Sequence, residues 1–140
     1  MTGNLRVFII DDDYISNIVT ENILQRADLP GSVHIYQNPK EALQFIRESS
    51  TSDGQQNFRY LIFLDLLMPL MDGDEFVAEL EKIPSPPRAD TSVVLLTGSE
   101  YPYHTKKFEQ FTSIKASLIK PLTEQAIELL LKKLYGSPAT

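Results

Sequence analysis

The sequence predicts an α/β fold built on a doubly wound parallel sheet. Short apolar runs that stop abruptly at a polar residue recur along the chain, and amphipathic segments with helical spacing separate them. The clearest runs are residues 7–10 and 60–64. Continuous apolar runs of this length are typical of strands buried on both faces. We therefore expect one layer of helices on each side of a single sheet.

Composition and length restrict the class of protein. The chain has 140 residues, 42% of them hydrophobic and 23% charged, which is typical of one globular domain with its own core. It has no cysteine, which excludes disulfides and thiolate chemistry. It also lacks a secretory signal segment and an apolar stretch long enough to span a bilayer, so we expect a cytoplasmic protein without membrane contact. The net charge of −6 argues against nucleic-acid binding.

Five strand and helix units follow one another. Turn and cap residues separate them, notably Asp13 and Thr123 as helix N-caps and Pro39 as a first helical residue. We interpret residues 48–59, which are polar and rich in Ser, Thr and Asp, mainly as a surface loop. The predicted strands are residues 7–10, 32–37, 60–64, 93–97 and 116–119, and four predicted helices begin near residues 14, 39, 73 and 124. A further helix is predicted within residues 101–113, where Pro102 delays its start.

The strand order decides which residues meet. Right-handed crossovers favour the flavodoxin-like order 2-1-3-4-5, which places strands 1 and 3 side by side. Asp11 and Asp12 follow strand 1 and Asp65 follows strand 3, and neighbouring strand ends lie about 5 Å apart. Carboxylates this close repel one another, so either one is protonated or a cation lies among them. Oxygen-only ligands favour Mg²⁺. Asp13 is a better candidate for a helix cap than for a ligand.

Two further polar residues lie at the ends of predicted strands. Thr97 ends the fourth strand, and Lys120 directly follows the fifth. The ordered set along the chain is therefore acid, acid, hydroxyl and ammonium. This order resembles the receiver domain of two-component response regulators, the CheY-like family, over nearly the whole chain. The residues that carry the resemblance are Asp11-Asp12, Asp65 with Met68-Pro69 and Asp72-Gly73 downstream, Thr97, and Lys120-Pro121.

The resemblance implies a phosphoryl-accepting role for Asp65. The donor would be a phosphohistidine on a sensor histidine kinase or a phosphotransfer protein, and Mg²⁺ would be the cofactor. The resemblance further implies that Asp12, Asp65 and the backbone carbonyl of Leu67 bind the ion directly, and that Asp11 acts mainly through a bound water. A downstream protein of unknown identity would then recognise the phosphorylated form.

The resemblance also assigns roles to the hydroxyl and the ammonium. Lys120 would pair with the acids at rest and with the phosphoryl oxygens after transfer, and its peptide bond to Pro121 is expected to be cis. Thr97 would donate its hydroxyl to a phosphoryl oxygen and draw the loop after strand 4 toward the site. The chain departs from the family at Ser117, where receivers commonly place a Tyr or Phe that moves on activation. We therefore expect signalling through the strand-4 loop and the helix after it.

We expect a single receiver domain over residues 1–140, with its core at about 5–135 and no output domain. Such a chain would be a stand-alone regulator that signals by protein contacts, and the sequence also leaves open a shuttle in a phosphorelay or a piece of a longer protein. It would not be an enzyme beyond its own phosphorylation and dephosphorylation, and homodimer formation is left open. One alternative is a degenerate receiver that serves as a phosphate-independent interaction module. Another is a phosphatase with an Asp nucleophile, although such enzymes place a second Asp where this chain has Leu67.

Overall fold

The computed structural model describes residues 5–27, 32–52, 59–66, 68, 70–83, 91–98 and 110–136. Strands and helices alternate through most of this part of the chain, and β4 and β5 are joined through residues that lie partly outside it. The elements are β1 (Leu5–Ile10), α1 (Tyr14–Arg26), β2 (Ser32–Tyr36), α2 (Pro39–Ser52), β3 (Arg59–Asp65), α3 (Gly73–Glu81), β4 (Thr91–Thr97), β5 (Ile114–Ile119) and α4 (Glu124–Tyr135).

The five strands form one parallel sheet in the order β2-β1-β3-β4-β5. The predicted α/β fold and strand order are therefore confirmed. In the register of the sheet, Ile10 of β1 lies beside Leu64 of β3, and Thr97 of β4 lies beside Ile119 of β5. All strands run the same way, so the residues that follow them meet at one edge of the sheet.

The core consists of two apolar layers, one on each face of the sheet. Successive residues of a strand point to opposite faces, and β1 shows this directly. Phe8 and Ile10 belong to the layer that includes residues of α2 and α3, whereas Val7 and Ile9 belong to the layer that includes residues of α1 and α4. The central strands are apolar on both faces because helices cover both sides of the sheet.

An aromatic cluster lies where β2 forms the edge of the sheet. The Phe8 ring stacks on His34 at 5.1 Å and on Tyr60 at 5.8 Å between ring centroids, and Phe45 of α2 lies 5.9 Å from Phe8. Burial lowers the pKa of His34 below its ordinary value of 6.5, and the positive charge of Arg6 lowers it further. The folded protein therefore favours the neutral imidazole.

Two sequence-based predictions of local structure need comment. Most of residues 48–59 was predicted to be a surface loop, and within the described part of that segment α2 continues through Ser52 and β3 begins at Arg59. Ser49 is buried against the domain, and the side chains of Gln44 and Glu48 are hydrogen-bonded at 3.2 Å one helical turn apart, which favours the longer helix. The rest of that predicted loop, and most of the helix predicted within residues 101–113, lie outside the described residues.

Across the described ranges we find no helix whose length and apolarity would let it cross a membrane.

We predict that His34 makes the folded state less stable in mild acid. Its pKa is lower in the folded than in the unfolded chain, so its contribution to stability is complete above about pH 6.5 and is lost as the pH falls below that value. Replacing His34 by Phe keeps an aromatic ring at the position and removes the titration. Urea unfolding from pH 7.5 to 5.5 (about one unit on either side of the unperturbed histidine pKa) should show a smaller loss of stability in His34→Phe than in the wild type. Equal losses in the two proteins would contradict the prediction, because the other histidine, His104, is present in both.

Candidate functional site

Three carboxylates converge at the edge of the sheet where β1 and β3 end. Asp11 and Asp12 directly follow β1, and Asp65 is the last residue of β3. One carboxylate oxygen from each of these residues lies within 4.8 Å of the other two. Asp11 is only 1% exposed and Asp65 is largely buried, whereas Asp12 faces solvent. Two of the three acids are therefore buried, and the third is accessible to a ligand from solution.

Lys120 reaches this cluster from the end of β5. Its Nζ donates to Asp11 Oδ2 at 2.6 Å and lies 3.6 Å from Asp65 Oδ1. The peptide bond between Lys120 and Pro121 is cis, as the resemblance implied. The ammonium is the cationic partner that the described contacts give to Asp11 and Asp65, and it neutralises part of the negative charge of the cluster.

Burial and pairing act in opposite directions on these two groups. Burial by itself lowers the pKa of Lys120, but its hydrogen bond to Asp11 and the charges of Asp65, Asp11 and Asp13 raise the pKa above its ordinary value. Burial raises the pKa of Asp11, but hydrogen bonds from Lys120, from the Asp13 amide and from Ser16 hold it below its ordinary value. Both groups therefore stay ionised at neutral pH.

Every polar part of Asp11 is held by a neighbour. Oδ1 accepts the backbone N–H of Asp13 at 2.9 Å, and Oδ2 accepts the Ser16 hydroxyl at 2.7 Å in addition to Lys120. The Asn17 side-chain amide donates to the Asp11 carbonyl at 2.8 Å. The Asp11 amide donates to the Tyr36 carbonyl at 3.1 Å. The orientation of this acid is therefore determined by the first turn of α1 as well as by the sheet.

The other residues that the sequence singled out occupy different positions. Thr97 is half-buried at the end of β4, and its carbonyl accepts the backbone N–H of Lys120 at 2.7 Å. Asp13 is the N-cap of α1, because its Oδ1 accepts the N–H of Ile15 at 3.0 Å. Asp72 is the N-cap residue of α3, and its backbone N–H donates to Glu75. Leu67 lies outside the described residues.

The sequence reasoning did not identify Ser16, Asn17 or Gln37, all of which contact the acidic pair. Gln37 donates to the Asp12 carbonyl at 3.1 Å. The sequence carries no signal for Asn17, because the apolar residues Ile15 and Val19 lie on another side of α1 and are exposed, whereas Asn17 is buried. Ser16 and Gln37 gave no signal either, since polar residues at a helix start or after a strand are ordinary.

The donor set fits a hard divalent cation. Three carboxylates with one ammonium leave a net charge of −2, all available ligand atoms are oxygens, and Asp12 is open to solvent. Mg²⁺ binds a few carboxylates and retains several waters, which this arrangement allows. Asp11, Asp12 and Asp65 are therefore the residues that would hold such an ion.

Comparison with known proteins identifies the family. The family model described as response regulator receiver domain matches residues 7–132. The chain belongs to this family. Its receiver fold, with an acidic cluster at the carboxyl ends of β1 and β3, is thus the fold of a two-component signalling module.

Two curated relatives carry the receiver within much longer proteins. The histidine kinase CKI1 of Arabidopsis thaliana is 31% identical over 101 residues, which are 68% of this chain and 9% of the kinase. A protein-glutamate methylesterase/protein-glutamine glutaminase of Desulfotalea psychrophila is 34% identical over 88 residues, 61% of this chain and 21% of that protein. The matched part of this receiver is therefore a small fraction of each relative.

Solved structures share the fold of this receiver. A response regulator receiver protein from Dyadobacter fermentans has a TM-score of 0.79 at 24% identity, with 95% of this chain and 99% of that chain covered. The CKI1 receiver domain complexed with Mg²⁺ has a TM-score of 0.72 at 24% identity, with 92% and 94% covered. The Vibrio cholerae chemotaxis protein CheY4 has a TM-score of 0.68 at 22% identity, with 93% and 98% covered.

We predict that Asp12 is required for stabilisation of this receiver by Mg²⁺. An ion that binds only the folded state raises the free energy of unfolding, by about 2.7 kcal/mol at a free concentration 100 times its Kd. Asp12→Asn removes a ligand and also relieves repulsion in the ion-free protein. In EDTA the variant should therefore be at least as stable as the wild type, and saturating Mg²⁺ should add little. Thermal unfolding in EDTA and in Mg²⁺ measures both quantities.

Asp13→Asn is the matched control for this experiment. It removes the same charge one residue away, and Asn can still cap α1 through its side-chain oxygen. Mg²⁺ should stabilise this control about as much as the wild type. Equal stabilisation of Asp12→Asn and Asp13→Asn would contradict the prediction that Asp12 is required.

Proposed function

We propose that this receiver accepts a phosphoryl group on Asp65 from a phosphohistidine of a sensor histidine kinase or a phosphotransfer protein, with Mg²⁺ as cofactor. The observation that carries the proposal is the position of Asp65. Its carboxylate lies at the mouth of the sheet, beside Asp11 and Asp12 and 3.6 Å from the Lys120 ammonium. A nucleophile, a cation site and a fixed positive charge thus meet at one point.

The chemistry needs a nucleophilic carboxylate and neutralisation of charge on the transferred group. In the transfer, a bond forms between a carboxylate oxygen of Asp65 and phosphorus while the P–N bond of the phosphohistidine breaks, and the departing imidazole nitrogen keeps the electron pair. Mg²⁺, when bound, would neutralise charge on the phosphoryl oxygens. Asp11, Asp12 and Asp65 would hold it, and the resemblance adds the backbone carbonyl of Leu67.

Lys120 is suited to a change of partner during this reaction. Its Nζ donates to Asp11 Oδ2 at 2.6 Å and lies 3.6 Å from Asp65 Oδ1, so both carboxylates are already within its reach. The new phosphoryl oxygens would give the ammonium an additional anionic partner at a similar distance. Lys120 therefore contributes a fixed charge where negative charge accumulates, which is an electrostatic role.

We propose that the signal leaves the site through Thr97 and the loop that follows β4. The backbone of Thr97 is hydrogen-bonded to that of Lys120, so the hydroxyl and the ammonium belong to adjoining strand ends. Ser117 of β5 is exposed and small, which gives no aromatic ring to move at this position. Recognition by a downstream protein would then depend on contacts near the end of β4.

Phosphorylation can be tested with a small donor. We expect incubation with acetyl phosphate and Mg²⁺ to add one phosphoryl group to the wild type, measured by intact mass, and to add none to Asp65→Asn. EDTA should prevent the gain in the wild type. Asp72→Asn, which changes a cap residue outside the site, should be phosphorylated like the wild type.

Each other result identifies a different function. No mass gain in the wild type would contradict phosphoryl acceptance and would support a phosphate-independent interaction module. Release of many phosphates per protein would support a phosphatase. A gain that persists in Asp65→Asn would place the acceptor at another residue.

We predict that Thr97→Ala accepts the phosphoryl group but does not transmit the change. Thr97→Ala removes the side-chain hydroxyl that would donate to the phosphoryl group. The end of β4 would then no longer be drawn toward the phosphorylated Asp65. Hydrogen exchange measured by mass spectrometry should show that phosphorylation alters peptides spanning residues 91–98 in the wild type and leaves them unchanged in Thr97→Ala. Ser117→Ala is the control and should respond like the wild type. An unchanged response in Thr97→Ala would contradict this route.

A further inference from the structure

The first turn of α1 is bonded to the side chain of Asp11 in an unusual way. In a capping box, the third helical residue accepts the backbone N–H of the N-cap residue. In α1 the N-cap is Asp13 and the third residue is Ser16, but the Asp13 N–H is bonded to Asp11 Oδ1 at 2.9 Å. Ser16 in turn donates its hydroxyl to Asp11 Oδ2 at 2.7 Å. Asp11, which precedes the helix, therefore accepts the hydrogen bond that a side chain of the helix accepts in a capping box.

The two oxygens of Asp11 are thus held by donors from α1, and Lys120 is an additional donor. Ser16 and Lys120 share Oδ2, at 2.7 Å and 2.6 Å. In the proposed mechanism Lys120 turns part of its charge toward the phosphoryl oxygens. Without the Ser16 hydroxyl, the remaining described donors to the carboxylate would be the Lys120 ammonium on Oδ2 and the Asp13 N–H on Oδ1, so the carboxylate would be held less firmly even before Lys120 changes partner. The Ser16 hydroxyl keeps Asp11 in place independently of what Lys120 does.

We propose that Ser16 is a positioning residue for the cation site, because its hydroxyl keeps the Asp11 carboxylate directed at Asp12 and Asp65. This inference rests on the proposed function, since it requires that the acidic cluster binds Mg²⁺. The contrasting view is that Ser16 is an ordinary polar residue at a helix start. Alanine has a higher helix propensity than serine, so on that view Ser16→Ala should leave stability unchanged or slightly improved and should leave ion binding unaffected.

Mg²⁺ affinity separates these views. Calorimetric titration of the unphosphorylated protein should give a Kd about 10-fold higher for Ser16→Ala than for the wild type, because partners that orient metal ligands typically contribute at least that much to affinity. Ser16→Thr retains the hydroxyl and should bind like the wild type. Urea unfolding in EDTA should show little difference between Ser16→Ala and the wild type. Equal affinities of Ser16→Ala and the wild type, or equal losses in the Ala and Thr variants, would overturn the proposal.

A double-mutant cycle tests whether the effect passes through Asp11. In an Asp11→Asn background the carboxylate is already gone, so Ser16→Ala should have no further effect on the Kd. A full effect in that background would overturn the proposal, since Ser16 would then act by another route. If the wild type itself binds no Mg²⁺, the cation site of the proposed function fails along with this inference. Binding by the wild type with no loss in Ser16→Ala overturns the inference alone.

Discussion

The crowding of three carboxylates at one edge of the sheet is the constraint on which the site depends. Two like charges about 4 Å apart repel by roughly 4 kcal/mol at an effective dielectric constant near 20. One ammonium, that of Lys120, lies among Asp11, Asp12 and Asp65 and offsets only part of this repulsion. The folded chain therefore holds the acids together at an energetic cost, and a bound cation would relieve it. Binding of such an ion would therefore be coupled to the stability of the fold.

The sheet can hold the acids because it is rigid where they are attached. Three backbone hydrogen bonds continue the ladder past the strand ends: Asp11 to Tyr36, Leu66 to Leu96, and Lys120 to Thr97. Below this edge the strands are buried on both faces by the two apolar layers. Repulsion at the edge cannot separate β1 from β3 without breaking that packing, so the core supplies the stability that the site lacks.

The fold and the main site residues were predictable for one physical reason. Asp11, Asp65, Thr97 and Lys120 each end or directly follow an apolar run, and parallel strands bring such positions to one edge whatever the loops do. The extension of α2 through Ser52 was not predictable in this way, because residues 48–52 are polar and carry no apolar periodicity, although Ser49 is buried in the structure. Where a helix ends within a polar segment depends on tertiary contacts that local propensity does not contain.

The contact between Ser16 and Asp11 shows the other limit of sequence reasoning. Nothing in the sequence separates a serine that caps a helix from one that turns back to a residue before it, since both are favourable at a helix start. The structure distinguishes the two cases, because the Asp13 N–H donates to Asp11 Oδ1 and the Ser16 hydroxyl donates to Asp11 Oδ2. The first turn of α1 therefore orients Asp11, which lies just before the helix. Any change in how α1 starts would also change the position of Asp11.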